Sequence, residues 1–334
     1  MIICLVASIE FKDIPQKLVK ITEGFLTWRL RRKLKQKEDK KKKHFLIDWI
    51  ETFVSSAFIV LLINQYLFQA YVIPSGSMKP TLEEQDRIFV NKLVYGPELL
   101  PGMFKIPSPI SPVRGDIIIF ESPQYLNPLR GTFFDLAQRM IFMLSLSLID
   151  IDRDDFGNPR IRFLIKRGPV VGGDRARFVR GNLQIMPRGW DEWTEENAVK
   201  RQFGLQYPSI RDVPPGIDAF YRDAAKNRAR IRLQRQREGL ITTEGQENFS
   251  DTTFELVQLE LENLMLEVPH LEEYRRQYFR HRSGMFIPEG WILPLGDNRD
   301  HSLDGRYFGP VKLDKILGQA AFKFWPPGRI GGIH

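Results

Sequence analysis

The chain has 334 residues, 43% of them hydrophobic, enough for one large domain or two modest ones with a sizeable core. Its net charge of +8 is local: residues 29–43 hold ten Lys/Arg against two acids, and the remainder carries 39 of each sign, which argues against a nucleic-acid-binding face. One cysteine, Cys4, rules out a disulfide framework and a cysteine-rich zinc site, and the five scattered histidines lack metal-ligand spacing, so no metal and no cofactor are expected.

In chain order, "MIICLVASI" is too short to span a bilayer, and residues 1–51 read as a basic segment on the cytoplasmic side. From Thr52 to Met78 no residue is charged, and "FVSSAFIVLLINQYLFQAYVI" (53–73) is long enough for a helix to cross a hydrocarbon core of roughly 30 Å. Basic residues stay inside, so the anchor (52–73) is expected to leave everything after it outside, and the Lys/Arg cluster suits anionic membrane phospholipid. A cleavable secretory signal fits less well, because its apolar region runs to about 7–15 residues only.

Beyond residue 80, short β-branched and aromatic runs alternate with Gly and Pro: "RIFVNKLVY" (87–95), "DIIIF" (116–120), "RIRFLIKR" (160–167), "ARFVRGNLQIM" (176–186), "WILPLG" (291–296) and "AAFKFW" (320–325). This pattern predicts a mainly β, antiparallel catalytic domain over 74–184 and 285–334. Residues 217–238 and 252–282 have helix-forming composition and place a partly helical, cap-like insertion at 185–284. "FFDLAQRMIFMLSLSLI" (133–149) reads as an interfacial amphipathic helix or as a helix running into a strand; Asp135 and Arg139 argue against a second span.

Three stretches concentrate reactive residues. "IPSGSMKPTL" (73–82) sets two serines and a glycine at the end of the anchor. "FLIKRGPVVGGD" (163–174) puts Lys166 at the end of an apolar run. "PLGDNRDHSLDGRYFG" (294–309) is too polar for a core strand. There is no GxSxG elbow and no SxxK, and His301 is the only histidine in these stretches, which leaves a Ser–Lys pair as the known way to activate a serine. Such a lysine needs apolar surroundings that lower its pKa, and Lys166 is the best placed.

"PSGSMKPTL", "RGDIIIF", "IKRGPVVGGD" and "GDNRDHSLDGRYFG", in that order and followed by "GQAAFKFWPPGRIG", resemble the type I signal (leader) peptidases over about two fifths of the chain. The resemblance implies a membrane-anchored serine endopeptidase, with Ser77 as nucleophile and Lys166 as general base. It implies Ser75 as an oxyanion-hole hydroxyl beside the Ser77 N–H, and Met78 as a wall of the substrate cleft. Ser302 would orient the lysine amine, Asp304 would support that corner, and Asp297, Arg299 and Arg306 would hold the loop by ion pairs. Its substrates would be exported preproteins with small-x-small cleavage sites, met at the outer (periplasmic) side of the inner membrane. Val170, Gly172, His301 and Gly305 depart from the family pattern. The competing expectations are an inactive or narrowed membrane-anchored scaffold and a peptidase dedicated to one membrane substrate.

Overall fold

The computed structural model describes residues 27–28, 45–99, 105–123, 125, 133–145, 149, 151, 162–211, 218–239 and 253–333. The chain divides into two units, Met1–Ser56 and Ala57–His334. Helix α1 (Phe45–Tyr66) contains no Gly or Pro. Two of its hydroxyls bond within the helix: Thr52 Oγ1 donates to the Asp48 carbonyl at 2.7 Å, and Ser55 Oγ to that of Thr52 at 3.1 Å. Its stretch Asp48–Tyr66 is long and apolar enough to cross a membrane. Phe53 is 76% exposed, and Trp49, Phe58 and Leu62 are exposed too. A core helix would bury such side chains, so this one fits a membrane-anchored protein.

The helix ends earlier than the sequence suggests. Residues expected at the outer end of a span running to 73 form instead strand β1 (Phe68–Val72), antiparallel to β2 (Arg87–Asn91). Gln69, Ala70, Tyr71 and Ile73 are buried. The apolar run therefore has two causes, a helix exposed along its sides and a strand facing a protein core, and hydropathy alone does not separate them.

The fold is mainly β. Strands β3 (Ile117–Glu121), β4 (Phe163–Val171), β9 (Trp291–Leu295), β10 (Val311–Lys312), β11 (Ile316–Trp325) and β12 (Gly331–Gly332) join the first two in a curled antiparallel sheet of order β1-β2-β11-β3-β4-β9-β10, with β12 on β11. Strand β3 reads as an unbroken apolar run because both its faces are covered. Ile117 and Ile119 enter a cluster with Tyr71, Met78, Leu82 and Ile88, while Ile118 and Phe120 enter one with Tyr95, Ile292 and Ile316. Helix α2 (Phe133–Leu144) covers part of the first cluster through Phe142, whose ring lies 6.2 Å from Tyr71 and 6.3 Å from Phe163. The strand alternative for 145–149 falls largely outside the described residues.

A second sheet has the order β7 (Thr194–Glu195), β6 (Asn182–Met186), β5 (Arg175–Val179), β8 (Met285–Phe286). The run 176–186, which the sequence presents as one strand, is a hairpin. Arg180 (φ 48°) and Gly181 (φ 74°) make its two-residue turn, of the left-handed kind that hairpins favour. Helices α3 (Glu196–Gln202), α4 (Asp218–Arg237), α5 (Phe254–Glu267) and α6 (Glu272–Arg282) lie between β7 and β8, the last three where helical composition predicts them. This second sheet begins at Arg175, ahead of the expected insertion boundary at 185.

Candidate active site

Ser77 sits in a 3-10 turn (Gly76–Met78) a few residues beyond β1, and the Leu82 N–H closes on the Met78 carbonyl at 2.9 Å. Lys166 is in the middle of β4, opposite Ile118 of β3. The two elements meet: Lys166 Nζ lies 2.8 Å from Ser77 Oγ and donates also to its neighbour's carbonyl, Ile165 O, at 3.1 Å. Lys166 is 3% exposed and Ser77 7%. Burial pushes the lysine pKa down to about 8; Asp304 and Asp297 pull it up, and the Arg306 charge pushes it further down. As an ammonium, Lys166 donates to Ser77 Oγ. As an amine, it presents a lone pair to the serine O–H along the same 2.8 Å line.

The polar loop after β9 closes the site. The Asn298 N–H donates to the Ser77 carbonyl at 3.1 Å, and its Nδ2 to the Gly76 carbonyl at 3.3 Å. Asp297 is fully buried and receives both Arg167 Nε and Nη2 at 2.8 Å, and Thr81 Oγ1 at 2.6 Å. Asp304 caps helix α7 (Gly305–Phe308), accepts the Gly296 N–H at 2.9 Å and pairs with Arg306 at 2.8 Å. Burial opposes the Asp304 charge, but the Arg306 guanidinium and these hydrogen bonds hold its carboxyl below the usual carboxylate range. Arg306 in turn donates to the carbonyls of Arg299 (2.5 Å) and Ser302 (3.1 Å), which fastens the loop from inside.

The residues singled out in the sequence thus gather at one place, with two differences of detail. Ser302 Oγ makes no hydrogen bond to the lysine. It stands near enough to Asp304 to add the weakest of the pulls on that carboxyl, yet meets bonding geometry with no group. Met78 is 1% exposed and belongs to the core cluster, so it forms the floor under Ser77 rather than an open cleft wall. Gly296 is closely packed against the site: a Cβ there would sit 2.2 Å from Ser302 Oγ and 2.5 Å from the Ser77 carbonyl oxygen. Ser75 is exposed, and its hydroxyl donates to Ser77 Oγ at 3.4 Å.

Sequence reading missed Thr81, Arg167, Gly296 and Asn298. Arg167 and Asn298 stood inside quoted motifs, but their partners lie 130 and 222 residues away in the chain, and spacing carries no signal of such a pairing.

A serine hydroxyl held against a buried, pKa-lowered lysine on an interior strand of an antiparallel sheet is suited to nucleophilic acyl transfer, as in the serine peptidase class. The sequence profile described as "Signal peptidase, peptidase S26" matches residues 46–325, and the chain belongs to that family. It is 40% identical to a "Signal peptidase I" of Pseudomonas aeruginosa, over 89% of this chain and 82% of that one. It is 28% identical to a "Signal peptidase I" of Haemophilus influenzae, over 87% and 76%. It is also 28% identical to one of Aquifex aeolicus, over 82% of each. The chain is a serine peptidase of signal-peptide processing.

Proposed function

We propose that this protein removes N-terminal signal peptides from exported preproteins with Ser77 as nucleophile and Lys166 as general base. The observation that carries the assignment is the 2.8 Å approach of Lys166 Nζ to Ser77 Oγ, with both groups buried. Neutral Lys166 takes the hydroxyl proton as Oγ bonds to the scissile carbonyl carbon. The tetrahedral oxyanion is stabilised by the Ser77 N–H and the Ser75 hydroxyl. Its collapse breaks the C–N bond, and the lysine gives the proton to the leaving amine. Water, deprotonated by the same lysine, then hydrolyses the ester and frees Ser77.

Helix α1 holds the site at the membrane, with the basic segment cytoplasmic and Ser77 on the outer, periplasmic side of the inner membrane. There the end of a substrate's apolar segment emerges with its small-x-small site, and the basic flank lies against anionic phospholipid. The exposed apolar flank of α1 and the short distance from Tyr66 to Ser77 along the chain support this placement.

The test is cleavage of a signal-bearing precursor by the detergent-solubilised protein, beside folded Ser77→Ala and Lys166→Ala. Cleavage after the small-x-small site, abolished by both changes, is the expected result. Folded wild type without cleavage would sink the reading and return the scaffold alternative. Ser75→Ala removes one oxyanion donor and should lower kcat by about 10²–10³-fold without abolishing it.

A further inference from the structure

Against the polar loop runs a segment to which no motif assigns a role, from Glu196 at the start of α3 to Ile210. Glu196 is buried, and its Oε1 takes two bonds: an ion pair from Arg299 Nη2 at 2.5 Å and the Tyr207 hydroxyl at 3.0 Å. Arg299, itself buried, passes the constraint on through Nη1, which donates to the Gly296 carbonyl at 2.6 Å. Tyr207 presents its ring 4.7 Å from the Arg167 guanidinium, and Arg167 is the chain neighbour of Lys166 and the partner of Asp297. Along the backbone, the Ile210 N–H donates to the Asp297 carbonyl at 2.8 Å and the Arg299 N–H to the Ile210 carbonyl at 2.9 Å.

One carboxylate therefore grips both supports of the reacting pair: the 296–299 turn through Arg299, and the Lys166 strand through Tyr207 and Arg167. The turn has no slack, since Gly296 is wedged between Ser302 and the Ser77 carbonyl and the next residue but one, Asn298, bonds that same carbonyl. A shift of the turn is transmitted to the serine.

We propose that Glu196 is a positioning residue for the Ser77–Lys166 pair, acting through Arg299 and Tyr207 and touching neither reacting group. The inference rests on the assignment of Ser77 as nucleophile and Lys166 as base. A merely structural ion pair would set how much protein is folded. A positioning residue sets how fast each folded molecule turns over.

The experiment is single-turnover cleavage of a signal-bearing precursor with the full-length protein in excess, in detergent, for wild type, Glu196→Gln, Glu196→Asp and Tyr207→Phe. At saturating enzyme the rate constant is independent of any inactive fraction. Glu196→Gln should lower that maximal rate by about 10- to 100-fold with the half-saturating concentration within about threefold, as expected for a small misplacement of reacting groups. Glu196→Asp should recover part of the loss, and Tyr207→Phe, which keeps the ring over Arg167, should cost about two- to fivefold in the same constant. An unchanged maximal rate in Glu196→Gln, with only a higher half-saturating concentration or a lower melting temperature, would overturn the proposal. Should Glu196→Gln not fold, the maximal rates of the other two variants decide on the same criterion. A wild type that folds and does not cleave would sink the parent assignment instead, so the two failures are distinguishable.

Discussion

Lys166 is under two opposed demands, and pH separates them. As a base it must be neutral, and burial lowers its pKa to about 8, so the competent fraction rises as pH climbs through that value. The kcat/KM of precursor cleavage, which follows the substrate-free protein, should increase towards a plateau above about pH 9, and a profile flat from pH 6 to 9 would remove Lys166 from the role of base. For folding, the sign is the reverse of the usual stabilised lysine. Between the folded value of about 8 and the ordinary 10.5, the unfolded chain binds more protons, so stability rises with pH across that window. Below pH 8 the buried ammonium works fully against folding, by ~3 kcal/mol for the gap between 10.5 and about 8. Lys166→Met, inactive, should therefore melt higher than wild type at pH 7, and its advantage should shrink as pH passes from 8 to 10.5. A constant difference across that window would show that desolvation is not what the lysine suffers. At this scale Ser77 and Lys166 were legible as candidates because each lies in a short motif with its neighbours, and the structure sets them 2.8 Å apart. Ser302 was legible as a member of the site but not in its contact, because a hydroxyl rotamer is set by packing around Gly296 and leaves no trace in a linear motif.

Among the elements, β4 brings Lys166 and Arg167 to the site. It changes register against β9 between Arg167 and Val170, which lets Pro169, without an N–H, occupy a strand flanked on both sides. The irregularity sits just after the lysine, where Gly168 is packed so closely that a Cβ would lie 2.2 Å from Ile292 Cδ1. Arg167, at its start, is 1% exposed and forms a two-bond pair with Asp297, itself bonded by Thr81. Removing one member leaves the other charge buried and unpaired, at a cost of about 3–5 kcal/mol. Arg167→Ala should thus lose both stability and cleavage. Asp297→Asn, which keeps the shape, should leave the guanidinium an amide oxygen beside the Gly115 carbonyl it already bonds at 2.8 Å, and lose less in a denaturant titration. Equal losses would mean that the side-chain volume, not the charge pair, is what matters. The apolar cores of the strands were legible from their residue types, and their ends were not. The 176–186 run was split by a turn at Arg180-Gly181, with Asn182 directly after it, so a Gly-Asn turn signal stood inside what reads as one strand.

For the whole molecule, the decisive sequence feature was the contrast between the basic run 29–43 and a charge-balanced remainder, with one uncharged stretch following the run. What it concealed is that this stretch serves the helix and the sheet in succession. The last turn of α1 is already bonded into the unit Ala57–His334: Gln65 Nε2 donates to the Glu98 carbonyl at 2.8 Å and the Tyr66 hydroxyl to that of Leu99 at 2.9 Å. Strand β1 follows at once, pairing all five of its residues with β2 and burying Tyr71 against Phe163, 5.6 Å away. A soluble catalytic fragment cut at the end of the apolar run, starting at residue 74, removes that strand, exposes the edge of β2 and opens the cluster under Ser77. Loss of one buried aromatic alone typically costs about 3–5 kcal/mol, a large part of a domain's margin. A fragment starting at residue 64 keeps the strand and both carbonyl contacts while discarding most of the exposed apolar helix. The longer fragment should be monomeric by gel filtration and should cleave a short peptide carrying a small-x-small site. The shorter one should aggregate or stay inactive, because part of the cluster under the Ser77 turn is missing. Equal activity of the two would mean that β1 is dispensable and that the apolar run is, to residue 73, an anchor alone.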